Sequence, residues 1–206
     1  MLLIEYQYLP PINVIKASIK ETNIGISSYD QFRKMSFRNR CMIPAANGPC
    51  ILSVPLVGGR ENSLKMKEVR IDNSVNWQLR HWRTITSVYG RSPWFDHYRD
   101  ELERYYLRKF TYLADWDLEL LQWVFTSLGI QLDILILEKE PGKGSQNAIL
   151  DLKNKILPKN FQAPEHLINL PSYVQVFQEK IGFQPNMSII DLLFCEGRNA
   201  GRYLRI

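Results

Sequence analysis

Apolar positions follow two periods along the chain, and the change from one to the other separates a strand-rich first part from a helix-rich second part. Residues 2–8 and 24–28 are short apolar runs of the strand type, and residues 12–21 between them carry isoleucines at helical spacing. Pro10 and Pro11 end the first run because proline cannot donate a ladder hydrogen bond. A strand–helix–strand unit this compact favours a parallel pair of strands with a crossover helix.

The next block, residues 31–57, has a period near two and predicts a hairpin. Two sets of side chains alternate there, apolar Met35, Phe37, Cys41 and Ile43, and polar Lys34, Ser36, Arg38 and Arg40. Successive strand residues point to opposite faces, so we expect the apolar set to face the core and the cations to share the other face. Asn47-Gly48 is a strong turn signal, and residues 51–56 are the predicted returning strand.

From residue 74 onward the apolar spacing is helical. The stripes predict three successive helices, over residues 75–88, 95–110 and 115–128, with Gly90 after the first and Gly129 after the third. Residues 130–137 are mostly aliphatic and predict a buried strand that returns to the sheet. Ser188 to Asp191 forms a capping-box pattern, which predicts a last helix ending at Gly197.

These elements predict a single α/β domain over residues 1–206. Its N-terminal βαβ opening and mixed sheet with a hairpin occupy residues 1–72, and an aromatic-rich helical part occupies residues 73–129. Residues 138–165, rich in glycine, proline and lysine, are expected to form a mobile loop, and residues 166–206 a helical tail. With 206 residues and 45% apolar content, the chain is long enough to bury a core without disulfides or metal.

Charge and cysteine content narrow the classes of function. The net charge of +5 fits an anionic ligand such as a phosphate, but it is too weak to indicate nucleic-acid binding by itself. The three cysteines lack a disulfide-framework spacing, and the start of the chain lacks the basic residues of a signal peptide. No apolar run reaches the roughly 18 residues that span a membrane. We therefore expect a cytoplasmic protein without a transmembrane segment.

Residues 33–40 hold four cations within eight positions. A strand face carrying Lys34, Arg38 and Arg40 beside a serine hydroxyl could bind phosphate oxygens, since arginine holds them bidentately. The alternative is a solvated outer strand whose charges protect a sheet edge.

His81 is the candidate proton acceptor. It stands one helical turn from both Trp77 and Ile85, on or beside the apolar stripe. A histidine kept neutral by burial and an aromatic wall can act as a general base, but the same position suits a core histidine with both nitrogens satisfied. The three histidines are scattered and no C-x-x-C is present, so we expect no metal site, and the cofactor stays unknown.

Several segments together resemble the WbqC-like protein family. The segments are residues 5–11, residues 32–40 with Asn39-Arg40, residues 52–56, the most specific block at residues 77–95, and the tail at residues 173–175 and 185–194. The chain resembles a compact variant of the family, with a shorter and more polar stretch around residues 138–165.

The resemblance implies a cytoplasmic transferase of bacterial surface-polysaccharide (O-antigen-type) biosynthesis. The group transferred would be an aminoacyl (glycine-like) or acyl group, and the acceptor an amino sugar on a nucleotide or lipid phosphate. In this interpretation Lys34, Arg38 and Arg40 hold the phosphates, and His81 takes a proton from the attacking group. The remaining expected binding residues are Tyr8 and Asn39, which would orient the donor, and Trp77.

Two other classes of function stay open. A non-catalytic adaptor could contact other glycan-biosynthesis enzymes through an exposed aromatic patch of Trp77, Trp82, Trp94 and Tyr98. A nucleic-acid-binding protein would need a continuous basic stripe, and the acidic residues spread through residues 96–117 argue against one.

Overall fold

The fold is described from a computed structural model, for residues 1–58, 64–141 and 149–205. Within these residues, four strands form one parallel sheet, in the order β5-β2-β1-β6. Strand β1 (Leu2–Glu5) leads through helix α1 (Ile12–Ser18) to β2 (Asn23–Ser27), and β1 and β2 pair in parallel. The predicted strand–helix–strand opening is therefore confirmed.

Strands β3 (Arg40–Ala45) and β4 (Gly48–Ser53) form the predicted hairpin as a separate antiparallel sheet. The extension of this hairpin back to residue 31 is wrong. The backbone at Met35 has a φ of 56°, and the Ser36 hydroxyl donates to the Arg33 carbonyl at 2.6 Å, so the chain turns here.

The expected cationic strand face therefore does not form. Lys34 is exposed, Arg40 is half-buried at the start of β3, and Ser36 and Arg38 are buried. A period of two in the sequence places residues on alternate faces only while the backbone stays extended.

Three long helices follow, as the apolar stripes predict. They are α2 (Trp77–Tyr89), α3 (Phe95–Leu107) and α4 (Leu113–Ser127). The first is followed by Gly90 and the third by Gly129, whose φ of 64° is the left-handed conformation that glycine adopts without strain.

Strand β5 (Asp133–Leu137) pairs with β2 and returns the chain to the sheet, as predicted. The expectation that it is buried is wrong. It is the edge strand of the sheet, and its neighbouring side chains Leu135 and Ile136 are 43% and 42% exposed. Because consecutive side chains point to opposite faces, both faces of the sheet are open at this edge.

Part of the predicted mobile loop, residues 142–148, lies outside the described residues. The rest contains strand β6 (Leu150–Asp151), which pairs with β1, and a segment whose apolar side chains enter the core at Ile156, Leu157 and Phe161.

The tail contains α5 (Gln178–Ile181), α6 (Ile189–Glu196) and α7 (Ala200–Arg205). Helix α6 starts and ends where the sequence predicts, and it is almost entirely buried. It contacts α1, α3 and α4, so the tail closes the core between the sheet and the long helices. The buried apolar residues form one cluster that extends from Leu2 to Leu204.

In the part of the chain that the structure describes, no helix combines the length and the apolar content that crossing a membrane requires.

Candidate functional site

Polar side chains collect at the carboxyl ends of the parallel strands. Glu5 ends β1, and Asn154 lies three residues beyond β6, the strand beside it. Strand β2, which follows β1 in the chain, lies on one side of β1 in the sheet, and β6 lies on the other side of β1. In open α/β sheets, ligands bind in the crevice at the carboxyl ends of strands where the order reverses in this way.

Arg38 has the most unusual environment in this region. Its side chain is 1% exposed, and its Nη1 donates to the Asn154 Oδ1 at 3.0 Å. Among the described residues, its Nε and Nη2 have no hydrogen-bond partner. These two N–H groups lie on one edge of the planar guanidinium, the edge that binds a carboxylate or phosphate bidentately. We call it the Arg38 edge.

Asn154 connects Arg38 to Glu5. Its backbone has a φ of 58°, a left-handed conformation that asparagine tolerates better than most residues. Its N–H donates to the Glu5 Oε2 at 2.9 Å while its side chain accepts from Arg38. The Gln7 amide donates to the other Glu5 oxygen at 3.2 Å. Burial raises the pKa of Glu5, and Arg38 opposes that shift.

Asp117, on α4, is a second buried ionisable side chain whose oxygens have no hydrogen-bond partner among the described residues. It is 1% exposed. Burial raises the pKa of Asp117 well above its usual value, and Arg38 lowers it. The ion pairs found in the described residues do not include Arg38 with Asp117, so the two groups attract each other without direct contact. Burial, and then Asp117, raise the pKa of Tyr6 to about 12.

We call these five residues, Glu5, Gln7, Arg38, Asp117 and Asn154, the polar cluster.

An open groove of about 570 Å³ leads to the polar cluster. It is lined by residues 30–34 and by Asn154. Arg33 and Lys34 supply positive charge to it, and Lys153 beside it donates to Tyr29 at 2.9 Å and pairs with Asp30 at 3.3 Å. Asn154 lines the groove and contacts Arg38, so it separates the groove from the buried guanidinium.

His81 lies in a different group of side chains, here called the aromatic cluster: Tyr8, Trp77, His81, Tyr106 and Trp116. The Tyr8 hydroxyl lies 3.1 Å from His81 Nδ1 and 2.6 Å from the Tyr106 hydroxyl. The Trp77 ring packs edge-on against the imidazole, with ring centres 5.2 Å apart.

The imidazole of His81 is 7% exposed. Burial lowers the pKa of His81 to about 4, although a hydrogen bond with the Ser53 backbone opposes the shift. His81 is therefore neutral at pH 7, and hydroxyl and backbone groups surround it in the core.

The two clusters are neighbours. The Cys41 thiol lies against the Tyr8 hydroxyl and feels the charge of Asp117. No described hydrogen bond or ring contact joins Arg38 to His81, so the residue expected to hold a phosphate and the residue expected to accept a proton do not touch each other.

The other residues predicted from the sequence take several positions. Asn39 is tied to the end of the hairpin: its Nδ2 donates to the Val54 carbonyl at 2.8 Å, and the Val54 N–H donates to the Asn39 carbonyl at 2.8 Å. Arg40 contacts the Met35 sulfur through Nη1 at 2.9 Å. Lys34 lines the groove, and Trp77 is 1% exposed within the aromatic cluster.

The exposed aromatic patch expected for an adaptor is wrong. Trp77 and Tyr98 are buried, while Trp82 and Trp94 are half-buried and pack against the core. Trp82 stacks between Phe95 and Tyr106, with ring centres 6.0 and 5.6 Å away. These rings hold α2, α3 and α6 together.

Asp191 does not serve as the helix cap that its spacing from Ser188 suggests. Its carboxylate accepts from the Tyr89 hydroxyl at 3.0 Å, the Tyr173 hydroxyl at 2.6 Å and the Gln175 amide at 2.7 Å. Burial raises the pKa of Asp191 to about 6, and the three donors oppose the shift.

Sequence reasoning missed Glu5, Asp117 and Asn154. Asp117 could have been found from the sequence. It stands one turn from Leu113 and from Leu121 on the buried face of α4, and burying a carboxylate there costs free energy unless it has a partner or a function. Glu5 could also have been found, because it is an acidic residue at the end of a predicted strand. Nothing in the sequence marks Asn154, since its role depends on the left-handed turn after β6.

Comparison with family models gives one match. The model of the WbqC-like protein family matches residues 8–166, which is most of the chain. "Uncharacterized protein Rv1507c" of Mycobacterium tuberculosis (strain ATCC 25618 / H37Rv) is 28% identical over 199 residues, covering 85% of this chain and 84% of that protein. No solved structure matches the chain. The matched region includes Arg38, Asp117 and Asn154, whereas Glu5 precedes it.

Proposed function

The chain belongs to the WbqC-like protein family, and we propose that it is a cytoplasmic transferase of surface-polysaccharide assembly that binds a phosphate-containing sugar substrate at the polar cluster. The group transferred is an acyl or aminoacyl (glycine-like) group, and the acceptor is an amino sugar on a nucleotide or lipid phosphate. The resemblance to the family supports a role in surface-polysaccharide assembly, and the Arg38 edge supports the binding of a phosphate group.

The main support for the proposal is that the buried Arg38 guanidinium has two N–H groups without a hydrogen-bond partner among the described residues. A buried guanidinium with two unpartnered N–H groups is costly, because water no longer solvates them and no acceptor among the described residues replaces it. Protein folds rarely keep such groups without a ligand, an ordered water or a catalytic role. A phosphate on the Arg38 edge would satisfy both donors at once.

The surroundings favour an extended phosphate-bearing carrier. Arg33 and Lys34 line the groove, and Asn154 lies between the groove and Arg38. A carrier with more than one phosphate could lie along the groove with one phosphate at the Arg38 edge. The carboxyl end of the sheet is also where this fold class places its ligands.

In this proposal His81 and Tyr8 act from the neighbouring aromatic cluster. Because the pKa of His81 is about 4, the imidazole is unprotonated at pH 7 and can accept a proton through the Tyr8 hydroxyl. Trp77 fixes the orientation of the ring from its other side.

The test is calorimetric titration of the purified chain with glucose 1-phosphate. Arg38→Lys keeps the positive charge and removes the bidentate edge, so we expect affinity to fall by at least about tenfold. The matched control is Arg104→Lys, an exposed arginine of α3, which should bind like the unmodified chain. Equal affinity of Arg38→Lys and the control, with both folded by circular dichroism, would contradict the proposal.

A further inference from the structure

Strand β5 has backbone groups that point away from its own sheet. The Asp133 N–H donates to the chain just before β2 at 3.2 Å, and the Leu137 carbonyl accepts from the chain just after β2 at 2.9 Å. The odd-numbered residues of β5 therefore bond to β2, and the residues between them point the other way. The N–H and C=O groups of Ile134 and Ile136 face outward, where no other strand of the described residues pairs with β5.

The sheet protects its other edge better than this one. At the other edge β6 has only two residues, and so short a strand offers few groups for pairing. Strand β5 has five residues, four of them aliphatic, and its single charged residue is Asp133 at the start. Leu135 and Ile136 are 43% and 42% exposed on opposite faces. An aliphatic edge that is open on both faces is a template for another strand.

The outward groups of β5 match those of a second β5 that runs antiparallel to it. A two-fold axis at Leu135 places Ile134 opposite the partner's Ile136. Their outward backbone groups then face each other, and in an antiparallel pair such residues exchange both hydrogen bonds. Leu135 lies opposite its own copy as a non-hydrogen-bonded pair, in which the side chains are close. The order Ile-Leu-Ile is the same in both directions, so the match is complete on both copies.

Charge and shape beside β5 fit the same arrangement. Antiparallel pairing brings the end of one β5 next to the start of the other. Exposed Asp133 is at the start and exposed Lys139 is two residues past the end, so opposite charges approach each other on both sides of the axis. The start of β5 also borders an open cavity of about 490 Å³, lined by Phe125 of α4 and by Leu132. The partner's chain beyond β5 would lie over this cavity.

We infer that the chain forms a two-fold symmetric dimer in which the β5 strands of two copies pair antiparallel about Leu135 and join the two sheets into one. A second copy is the partner because the backbone match, the aliphatic order and the charges are all self-complementary. The polar cluster stays accessible in this dimer, since it lies at β1 and β6 and β2 separates these strands from β5.

Sedimentation velocity over a range of protein concentrations measures this association. We expect the unmodified chain to reach twice the 24.2 kDa mass of one copy. Leu135→Lys places two like charges opposite each other on the axis and removes the leucine contact, so the dissociation constant of the dimer should rise at least about tenfold. The matched control is Ile168→Lys, at an aliphatic side chain that is 67% exposed outside the sheet. This control should dimerise like the unmodified chain.

A charge exchange tests the register of the two strands. Leu135→Glu should also weaken the dimer, because two glutamates then face each other. An equimolar mixture of Leu135→Lys and Leu135→Glu should recover the mass of two copies, since only the mixed pair places opposite charges on the axis. A mixture that stays monomeric would overturn the inference. A dimer that persists unchanged in Leu135→Lys alone would overturn it too, since another surface then joins the copies.

Amide hydrogen exchange of the unmodified chain, followed residue by residue by NMR, tests the interface without any variant. The N–H groups of Ile134 and Ile136 should exchange fast in a single copy and slowly in the dimer, so their protection should rise with protein concentration. Fast exchange at every concentration would overturn the inference. Protection in a chain that sediments as a single copy would also overturn it, because another segment of the same chain then covers the edge.

Discussion

Arg38 differs from the other cations of its segment in what surrounds its guanidinium. Arg33 and Lys34 are exposed and line the groove, whereas Arg40 is half-buried, contacts a methionine sulfur and has one buried nitrogen, Nε, without a hydrogen-bond partner among the described residues. Arg38 is buried and keeps one edge of its guanidinium unpartnered among the described residues. Nothing in the sequence distinguishes the four cations from one another. Only the fold shows that their surroundings differ.

Two buried titratable residues give opposite predictions for stability against pH. Burial holds the pKa of folded His81 at about 4, below its ordinary value near 6.5, so the unfolded chain takes up a proton first as the pH falls. The contribution of His81 to stability is complete above pH 6.5 and is lost between pH 6.5 and 4. Burial raises the pKa of Asp191 to about 6, so its folded carboxyl holds a proton that the unfolded chain releases. Stability due to Asp191 therefore falls as the pH rises from about 4 to 6.

Urea unfolding at pH 7 and pH 4 measures both effects. The pKa of each group differs from its ordinary value by about two, and a difference of one corresponds to about 1.4 kcal/mol, so each effect is about 3 kcal/mol. Relative to the unmodified chain, His81→Gln should lose less free energy of unfolding between pH 7 and pH 4, and Asp191→Asn should lose more. The same pH dependence in both variants and in the unmodified chain would contradict the assigned burial of the two groups.

At the scale of elements, the junction between α6 and α3 depends on a glycine. Gly197 ends α6 with a φ of 55°, and a Cβ built on it would lie 2.0 Å from the Trp94 ring. Gly129 ends α4 with a φ of 64°, and a Cβ there meets nothing within 4 Å. Both positions have a positive φ, but the ψ of −125° at Gly197 lies outside the left-handed helical region that other residues can adopt, and only Gly197 faces a ring.

Alanine at the two glycines should separate strain from packing. Gly129→Ala should cost about 1 kcal/mol from the left-handed backbone alone. Gly197→Ala should cost about 2 kcal/mol more, because its backbone conformation is more restricted to glycine and because the indole must move out of a packed junction. Thermal unfolding measures both, and equal losses would show that Trp94 does not pack on Gly197 as described.

The sequence predicted the elements better than their surroundings. The strand–helix–strand opening, the hairpin and the long helices follow from periodicity, which directly reports which side of an element is apolar. Strand β5 shows the limit: an aliphatic run predicts a strand, but it cannot say whether the strand lies inside the sheet or at its edge. The segment before β3 shows a second limit of periodicity, because apolar and polar residues also alternate where the chain turns, as at Met35.

On the scale of the whole molecule, the polar cluster is assembled from distant parts of the chain. Glu5 comes from β1, Arg38 from the turn before β3, Asp117 from α4 and Asn154 from beyond β6. The cationic segment could be found in the sequence because its charges are consecutive. Its partners could not, because their proximity depends on the order of strands and the packing of α4 on the sheet.

The same assembly places His81 and Arg38 in different clusters. Both are polar residues near apolar stripes, and the fold brings their clusters side by side without joining them. Tyr8 follows β1 into the aromatic cluster, while Glu5 ends β1 in the polar cluster. One short stretch of chain therefore contributes to both.

The central claim is that the Arg38 edge holds the phosphate of the substrate, and a crystal structure of the complex with glucosamine 1-phosphate tests it most directly. We expect two phosphate oxygens within about 3 Å of Arg38 Nε and Nη2, with the Asn154 contact to Nη1 kept. A phosphate bound in the groove by Arg33 and Lys34, with no oxygen on the Arg38 edge, would contradict the account.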